Sequence, residues 1–193
     1  GTYTGTGSFL SLAGNITYTI QDANGCSAST SILITQPTSV TATFNNTSVT
    51  CFGLSNGSST ASVTGGTPGY TYLWNTGSTT STINNQLAGN YVLQVTDANG
   101  CIFNLNTIIT QPAPIVATAN VILPIACFGG QAIVLVNGAG GTPGYSGNGT
   151  FYEYAGTHTY VLIDQNGCID STTITVTQPA AFTTVASITS PIA

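Results

Sequence analysis

Short runs that alternate apolar and polar residues recur along the chain, separated by Gly, Asn and Pro. This period-two pattern predicts half-buried β-strands, and no segment carries the 3.6-residue apolar stripe of a helix. The pattern therefore predicts an all-β sandwich fold. In the middle of the chain it predicts strands at Val40–Phe44, Ser58–Val63, Tyr70–Trp74, Thr79–Ile83, Asn90–Thr96 and Ile102–Thr110.

One motif occurs three times: Asp, any residue, Asn, Gly and Cys, with the Pro of Thr-Gln-Pro eleven residues after the Cys. Asn-Gly predicts a tight turn, and we expect the Asp side chain to cap it. The recurrence indicates a tandem array, in which each unit contacts mainly its neighbours. The repeats are predicted at 1–37 (the second part of a repeat), 38–112 (complete, long), 113–179 (complete, short) and 180–193 (the first strand of another).

Both termini align with internal positions of these repeats. Residues 1–7 align with 143–149, and the last three residues match Pro124-Ile125-Ala126. We therefore expect the chain to be a window of a longer array.

Aligning the repeats also predicts their core. Alternate positions before the motif Asp, and one position on the last strand, hold bulky residues in every copy. These are Ile16, Tyr18, Ile20 and Ile34, then Tyr91, Leu93, Val95 and Ile109, then His158, Tyr160, Leu162 and Val176.

Two kinds of cysteine alternate: Cys51 and Cys127 open Cys-Phe-Gly, whereas Cys26, Cys101 and Cys168 follow Asn-Gly. We expect disulfides within repeats, Cys51–Cys101 and Cys127–Cys168, with Cys26 bonded to a partner outside the window. Each would stabilise its repeat by about 4 kcal/mol in the chain-entropy model and would require an oxidising compartment. An odd number of alternating strands would place such partners at opposite ends of the sandwich. Bridges between neighbouring repeats, such as Cys51 to Cys168, therefore remain an alternative. No Cys-x-x-Cys pair or His cluster favours zinc.

The 193 residues include no Lys or Arg, five acidic residues and one His. The absence of basic side chains excludes the usual ways of binding phosphate, nucleic acid or anionic lipid. No run approaches the roughly 20 apolar residues of a transmembrane helix, so direct membrane insertion is not expected. No cofactor or metal motif is present, and we expect no cofactor.

Candidate catalytic residues lack a supporting pattern. His158 is the only imidazole, and its equivalents Ile16 and Tyr91 indicate a structural position. Glu153 and Asp170 have no counterparts in the other repeats, and Asp164 belongs to the turn motif, so a glycosidase pair is not expected. We therefore predict no catalytic residues and no enzyme activity.

Tyr72 and Trp74 are the candidate ligand contacts, because exposed aromatic rings could form a platform for sugars. A Trp on a central strand of a sandwich is more often part of the core. An array of carbohydrate-binding modules is accordingly the alternative function.

Cys51-Phe52-Gly53, the segment Gly65–Trp74, the segment Gly89–Cys101 and Ile109-Thr110-Gln111-Pro112 together resemble the SprB repeat of very large surface adhesins of Bacteroidetes. The match is close along 51–112 and looser along 127–179, which lacks Tyr-Leu-Trp, and 1–37 match only the second half. The resemblance implies tandem Ig-like or PKD-like β-sandwiches in an elongated array. It also implies type IX secretion to the cell surface, roles in gliding or attachment, and no catalytic residues.

The preferred hypothesis is a structural and adhesive segment of an extracellular surface fibre or filament, used for attachment, gliding or contact with prey or surfaces. The expected partners are other copies of the protein in a filament. Cell-surface or environmental glycans are further candidates, and nucleic acid is not expected.

Overall fold

The computed structural model describes residues 3, 4 and 7–187, and all regular elements in this part are β-strands. The predicted all-β class is confirmed. In the first predicted repeat, β1 (Tyr3–Thr4), β2 (Gly14–Asp22) and β3 (Ser27–Ile34) form one antiparallel sheet in the order β1-β2-β3. The predicted strand at 180–193 is not seen at 180–187, and its remainder lies outside the described residues.

Residues 38–112 form two three-stranded sheets. The six predicted strands are all present. The strand predicted at Thr79–Ile83 begins and ends three residues later than expected, and the strand predicted at Val40–Phe44 ends three residues later. The strands are β4 (Thr41–Thr47), β5 (Gly57–Thr64), β6 (Thr71–Trp74), β7 (Thr82–Gln86), β8 (Gly89–Thr96) and β9 (Ile102–Ile109). One sheet has the order β4-β5-β7 and the other β6-β8-β9.

Residues 113–179 form the same arrangement without a counterpart of β6. The strands are β10 (Val116–Leu123), β11 (Ala132–Ala139), β12 (Gly149–Glu153), β13 (Gly156–Ile163) and β14 (Ile169–Val176), in sheets β10-β11-β12 and β13-β14. Where β6 would pair, a single bridge joins Ser146 to Ile163. The missing strand follows from the sequence, because this repeat lacks the Tyr-Leu-Trp segment that forms β6.

The predicted core positions are buried in both complete repeats except His158, whose side chain is 24% exposed. Leu93, Val95 and Leu162 have no exposed surface, and Ile109 and Val176 have at most 3%. In residues 113–179, Val134 and Val136 of β11 belong to one buried cluster with Tyr160 of β13 and Val176 of β14. The core therefore lies between the two sheets.

The predicted core is incomplete in residues 1–37. Ile20 of β2 is 38% exposed, although its equivalents Val95 and Leu162 are fully buried. Among the described residues, this repeat contributes a single sheet, which leaves one face of β2 open.

Backbone proximity divides the chain into two compact units. One comprises Gly1–Thr43, Ser62–Thr79 and Leu93–Leu105. The other comprises Phe44–Ala61, Thr80–Val92 and Asn106–Ala193. The second unit contains the Cys51 turn and the whole of 113–179, and the candidate site lies within it. The repeat boundaries stay a prediction from the sequence.

Candidate functional site: a disulfide-linked junction

The Asp-x-Asn-Gly-Cys motif forms a tight turn that its own aspartate closes. Asp164 Oδ1 accepts backbone N–H bonds from Asn166 and Cys168, each 2.9 Å long. Asp164 Oδ2 accepts a third bond, of 2.8 Å, from Thr142. The Thr142 bond is the largest cause that lowers the pKa of Asp164, because accepted hydrogen bonds favour the carboxylate form. The aspartate therefore fastens the turn to the Gly-Gly-Thr-Pro-Gly loop.

Glycine permits the close approach of this loop. Gly141 has φ +56°, and a Cβ atom there would collide with the Asp164 carboxylate. Gly66 has φ +61° and occupies the same place beside Asp97. A side chain at either position would separate the loop from the aspartate and strain the backbone. This explains the second glycine of the recurring loop.

The turn has the same geometry in the other repeats. Asp97 Oδ1 accepts bonds from the backbone of Asn99 (3.0 Å) and Cys101 (2.9 Å), and Oδ2 accepts one from Thr67 (3.0 Å). The Thr67 bond is the first cause of a lowered pKa at Asp97. Asp22 Oδ1 accepts the equivalent bonds from the backbone N–H groups of Asn24 and Cys26, both 2.9 Å long. The predicted turn cap is confirmed in every copy.

The structure joins Cys51 to Cys168, two cysteines of consecutive predicted repeats, with their Cα atoms 5.7 Å apart. The expected bridges within repeats, Cys51–Cys101 and Cys127–Cys168, are wrong. All five cysteines lie among the described residues, and Cys101, Cys127 and Cys26 are exposed thiols there. The alternative of a bridge between neighbouring repeats is correct for this pair. A partner for Cys26 outside the window stays a prediction.

The length of one strand explains why cysteines of the same repeat do not pair. Gln178 follows β14 and accepts a 2.9 Å bond from the backbone N–H of Gly129, so the Cys127 turn lies at the end of β14. Cys168 immediately precedes the start of the same strand. Eight strand residues span about 26 Å. Cα atoms joined through a disulfide are only roughly 4–7 Å apart. The two cysteines therefore lie at opposite ends of their sandwich.

The Cys51–Cys168 bond is accompanied by a hydrogen bond across the same junction. The amide Nδ2 of Asn166 donates to the carbonyl oxygen of Thr50 (3.1 Å) and to Thr142 Oγ1 (2.8 Å). Cys168 is 8% exposed here, whereas its unpaired equivalent Cys101 is exposed. The motif therefore supplies an amide donor and a sulfur to the neighbouring repeat.

An open cleft of about 430 Å³ lies beside the disulfide. Besides the two half-cystines, its lining is apolar and includes the linker that follows Thr-Gln-Pro. The lining residues are Phe52, Leu54, Ala113, Pro114, Ile115 and Ile169.

The glutamine of Thr-Gln-Pro holds the Cys-Phe-Gly turn, a role that the sequence analysis missed. Gln111 Oε1 accepts a 2.8 Å bond from the backbone N–H of Gly53, as Gln178 does from Gly129. In the sequence, Thr-Gln-Pro served only as a marker of the repeat. The available signal was the recurrence of Gln before this Pro in all three copies.

The candidate aromatic platform is not an exposed surface. Trp74 is 1% exposed, so the expectation that it contacts a ligand is wrong and it belongs to the core. Tyr72 lies two residues earlier on β6, on the same face by strand alternation, and is half-buried. A sugar contact at Tyr72 stays a prediction.

His158 takes part in a local polar cluster between the two sheets. Its Nδ1 lies 3.0 Å from Glu153 Oε2, and its Nε2 lies 2.9 Å from the carbonyl oxygen of Tyr154. Tyr160 donates a 3.0 Å bond to Glu153 Oε1. Burial, followed by the Glu153 contact, raises the pKa of Tyr160 to about 12. Glu153 belongs to β12 and the other two side chains to β13, so the cluster joins the sheets.

The three carboxylates considered as a catalytic pair serve separate structural contacts. Asp170 Oδ2 accepts a 2.7 Å bond from the backbone N–H of Ala117, which ties β14 to β10. Asp164 closes the turn, and Glu153 contacts His158 and Tyr160. Within residues 3–4 and 7–187, no group of three or more His, Cys, Asp or Glu side chains is arranged to hold a metal ion.

The fold and the junction define a tandem β-sandwich repeat protein. Residues 43–79 match the family model described as the SprB repeat. The matched segment includes β5, β6 and the Cys51 turn. The family is a structural repeat of the adhesin type on the surface of Bacteroidetes. No curated protein matches the chain. The described part of the chain contains no helix long and apolar enough to span a membrane.

Proposed function

We propose that this segment is a non-catalytic, load-bearing part of an extracellular surface fibre or filament, used for attachment, gliding or contact with prey or surfaces. The observation that carries the proposal is the Cys51–Cys168 bond, which covalently joins consecutive predicted repeats. A covalent bond at this place prevents the two repeats from separating under tension. A fibre that transmits force requires this resistance at every junction.

Other contacts at the junction support the same function. The Gln111 side chain holds the Cys51 turn against the end of β9, and the Asn166 amide holds the Thr50 carbonyl. Pro112 and Pro114 restrict the backbone of the linker between the repeats. These contacts limit bending at the point where a string of domains is usually most flexible.

The family assignment supports the proposed location. SprB repeat proteins are cell-surface or extracellular, and disulfides persist in oxidising compartments outside the cytosol. We further propose type IX secretion as the export route and other copies of the protein as lateral partners. A surface with no Lys or Arg has few charges that would keep neighbouring strand edges apart.

Labelling of intact cells tests the proposal. Monovalent antibody fragments against the folded chain should decorate extracellular filaments on cells that produce the parent protein, and they should reduce attachment. Labelling that requires permeabilised cells, or attachment that is unaffected by saturating fragments, would contradict it.

A variant pair separates load bearing from secretion. Cells with Cys168→Ser should export the protein and attach, but should detach at lower shear than cells with Leu73→Ala. The Leu73→Ala change is the control, because Leu73 is exposed on β6 and lies outside the disulfide-linked junction. Equal detachment thresholds would refute the load-bearing role.

A further inference from the structure

The chain carries each half of the Cys51–Cys168 junction a second time, without its partner. Cys127 repeats the Cys-Phe-Gly half and Cys101 repeats the Asn-Gly-Cys half.

The Cys127 half matches the bonded Cys51 half. Gly53 and Gly129 both have φ +77°, and both donate to a glutamine that follows the last strand of the repeat, at 2.8 and 2.9 Å. The carbonyl oxygen of each cysteine also accepts a bond from the residue three positions later, at 3.2 Å for Cys51 and 3.0 Å for Cys127. The Cys127 turn is therefore already in the conformation that holds a disulfide at Cys51.

The Cys101 half matches the bonded Cys168 half. Asn99 Nδ2 donates to Thr67 Oγ1 at 2.8 Å, as Asn166 Nδ2 donates to Thr142 Oγ1 at 2.8 Å. Only the Asn166 amide has the additional bond to Thr50 O. The Asn99 amide is therefore oriented like the one that contacts a neighbouring repeat.

We propose that each repeat is bonded to both of its neighbours, by the Cys-Phe-Gly cysteine on one side and the Asn-Gly cysteine on the other. Cys127 then bonds the Asn-Gly cysteine of the repeat that follows residues 113–179. Cys101 bonds the Cys-Phe-Gly cysteine of the repeat that precedes residues 38–112. The bonded pair Cys51–Cys168 is the independent observation that identifies this kind of partner.

In each case the proposed partner is a neighbouring repeat of the same polypeptide, because the new bonds continue an interface already present between consecutive repeats. This covalent connectivity of the array does not depend on an adhesive role.

Bond formation is an exchange with a low-molecular-weight or protein disulfide as the oxidant. The thiolate of one cysteine attacks a sulfur of the oxidant, which releases one thiol and leaves a mixed disulfide. The second cysteine then attacks the protein sulfur of that mixed disulfide and releases the other thiol. Two protein thiols are oxidised to one disulfide, and the oxidant is reduced to two thiols that take up the two protons.

An extended chain tests the proposal. A second copy of residues 38–112, with its own Cys51→Ser change, is inserted after residue 179, and the original Cys101 is changed to Ser. Each remaining cysteine then lies in a distinguishable peptide. The chain is refolded with oxidised and reduced glutathione. It is digested with pepsin, because trypsin has no Lys or Arg to cleave, and low pH suppresses thiol exchange.

The expected products are the Cys51–Cys168 peptide and a new peptide that joins Cys127 to the inserted Asn-Gly cysteine. The Cys101→Ser chain without the insertion should have two titratable thiols, Cys26 and Cys127. The extended chain should have only one, Cys26. Cys127 recovered as a thiol beside an intact Cys51–Cys168 bond would overturn the proposal, as would its bonding to Cys168 or to a separate chain. If the extended chain does not fold, the same digestion of the parent protein decides. There, Cys127 must be linked to an Asn-Gly-Cys peptide other than that of Cys168, and an unlinked Cys127 or a Cys127–Cys168 link refutes the inference.

Discussion

Removal of the Cys51–Cys168 bond should have a large effect that a matched variant lacks. The perturbation is Cys168→Ser and the control is Cys101→Ser. The two cysteines lie in equivalent turns, but Cys168 is disulfide-bonded and Cys101 is an exposed thiol. Both substitutions retain the backbone N–H that the turn aspartate accepts. The difference between them therefore isolates the disulfide.

The sequence separation of the bond sets the size of the effect. Cys51 and Cys168 are 117 residues apart. In the chain-entropy model, a loop of this length corresponds to about 4.9 kcal/mol of unfolding free energy at 25 °C. The loss should appear in Cys168→Ser and be close to zero in Cys101→Ser. This is a large share of the roughly 5–15 kcal/mol that stabilises a typical domain.

The same separation predicts a mechanical signature. While the bond is intact, the chain between Cys51 and Cys168 cannot extend when the protein is pulled from its ends. At about 3.4 Å per residue, its 117 residues correspond to roughly 400 Å of hidden length.

Single-molecule stretching with handles at both termini measures this length. The fully unfolded wild-type and Cys101→Ser chains should be about 400 Å shorter than Cys168→Ser. Reducing agent should abolish the difference. Equal contour lengths for all the proteins under oxidising conditions would refute the assigned connectivity.

Four further outcomes follow from individual contacts. Since accepted hydrogen bonds lower the pKa of Asp164, its stabilisation should be complete above the unfolded-state value of about 3.9 and be lost as the pH falls through the folded-state value. Thermal melting from neutral to about pH 2 should show a weaker pH dependence in Asp164→Asn than in wild type. Trp74→Ala should cost about 3–5 kcal/mol in denaturant unfolding, whereas exposed Leu73→Ala should cost much less. Asn166→Ala should destabilise by about 1 kcal/mol more than Asn99→Ala, because only Asn166 also contacts Thr50. Sedimentation should show association that increases with concentration, if copies pack laterally.

Each of these outcomes has a contrary result. Equal pH profiles for Asp164→Asn and wild type would contradict the role of the turn aspartate. Equal costs for Trp74→Ala and Leu73→Ala would contradict the burial of the indole. Equal effects at Asn166 and Asn99 would mean that the junction hydrogen bond contributes nothing. A strictly monomeric species at all concentrations would count against lateral assembly.

The strands and most of the core were predictable because strand alternation is a local property of the sequence. Leu93, Val95 and Leu162 were identified by their spacing from the turn aspartate, and all are fully buried. The loss of β6 in the short repeat was visible as a missing Tyr-Leu-Trp segment. Ile20 differs because its burial depends on a second sheet and not on its own strand.

The junction was not predictable to the same degree because it depends on which end of a sandwich each cysteine occupies. Motif spacing identified both types of cysteine but favoured the wrong pairing. Strand parity had already pointed to opposite ends, and the contact between Gln178 and Gly129 places the Cys127 turn there. That contact joins two motifs 49 residues apart. Neither motif by itself indicates that Gln178 and Gly129 are in contact.

Disulfide mapping of the intact chain tests the central claim most directly. The oxidised chain is digested with pepsin at low pH, and its linked peptides are identified by mass spectrometry with and without reduction. We predict one dominant linked pair, containing Cys51 and Cys168, with Cys101 and Cys127 recovered as thiols. Linked peptides that join Cys51 to Cys101 and Cys127 to Cys168 would contradict a covalent junction between consecutive repeats.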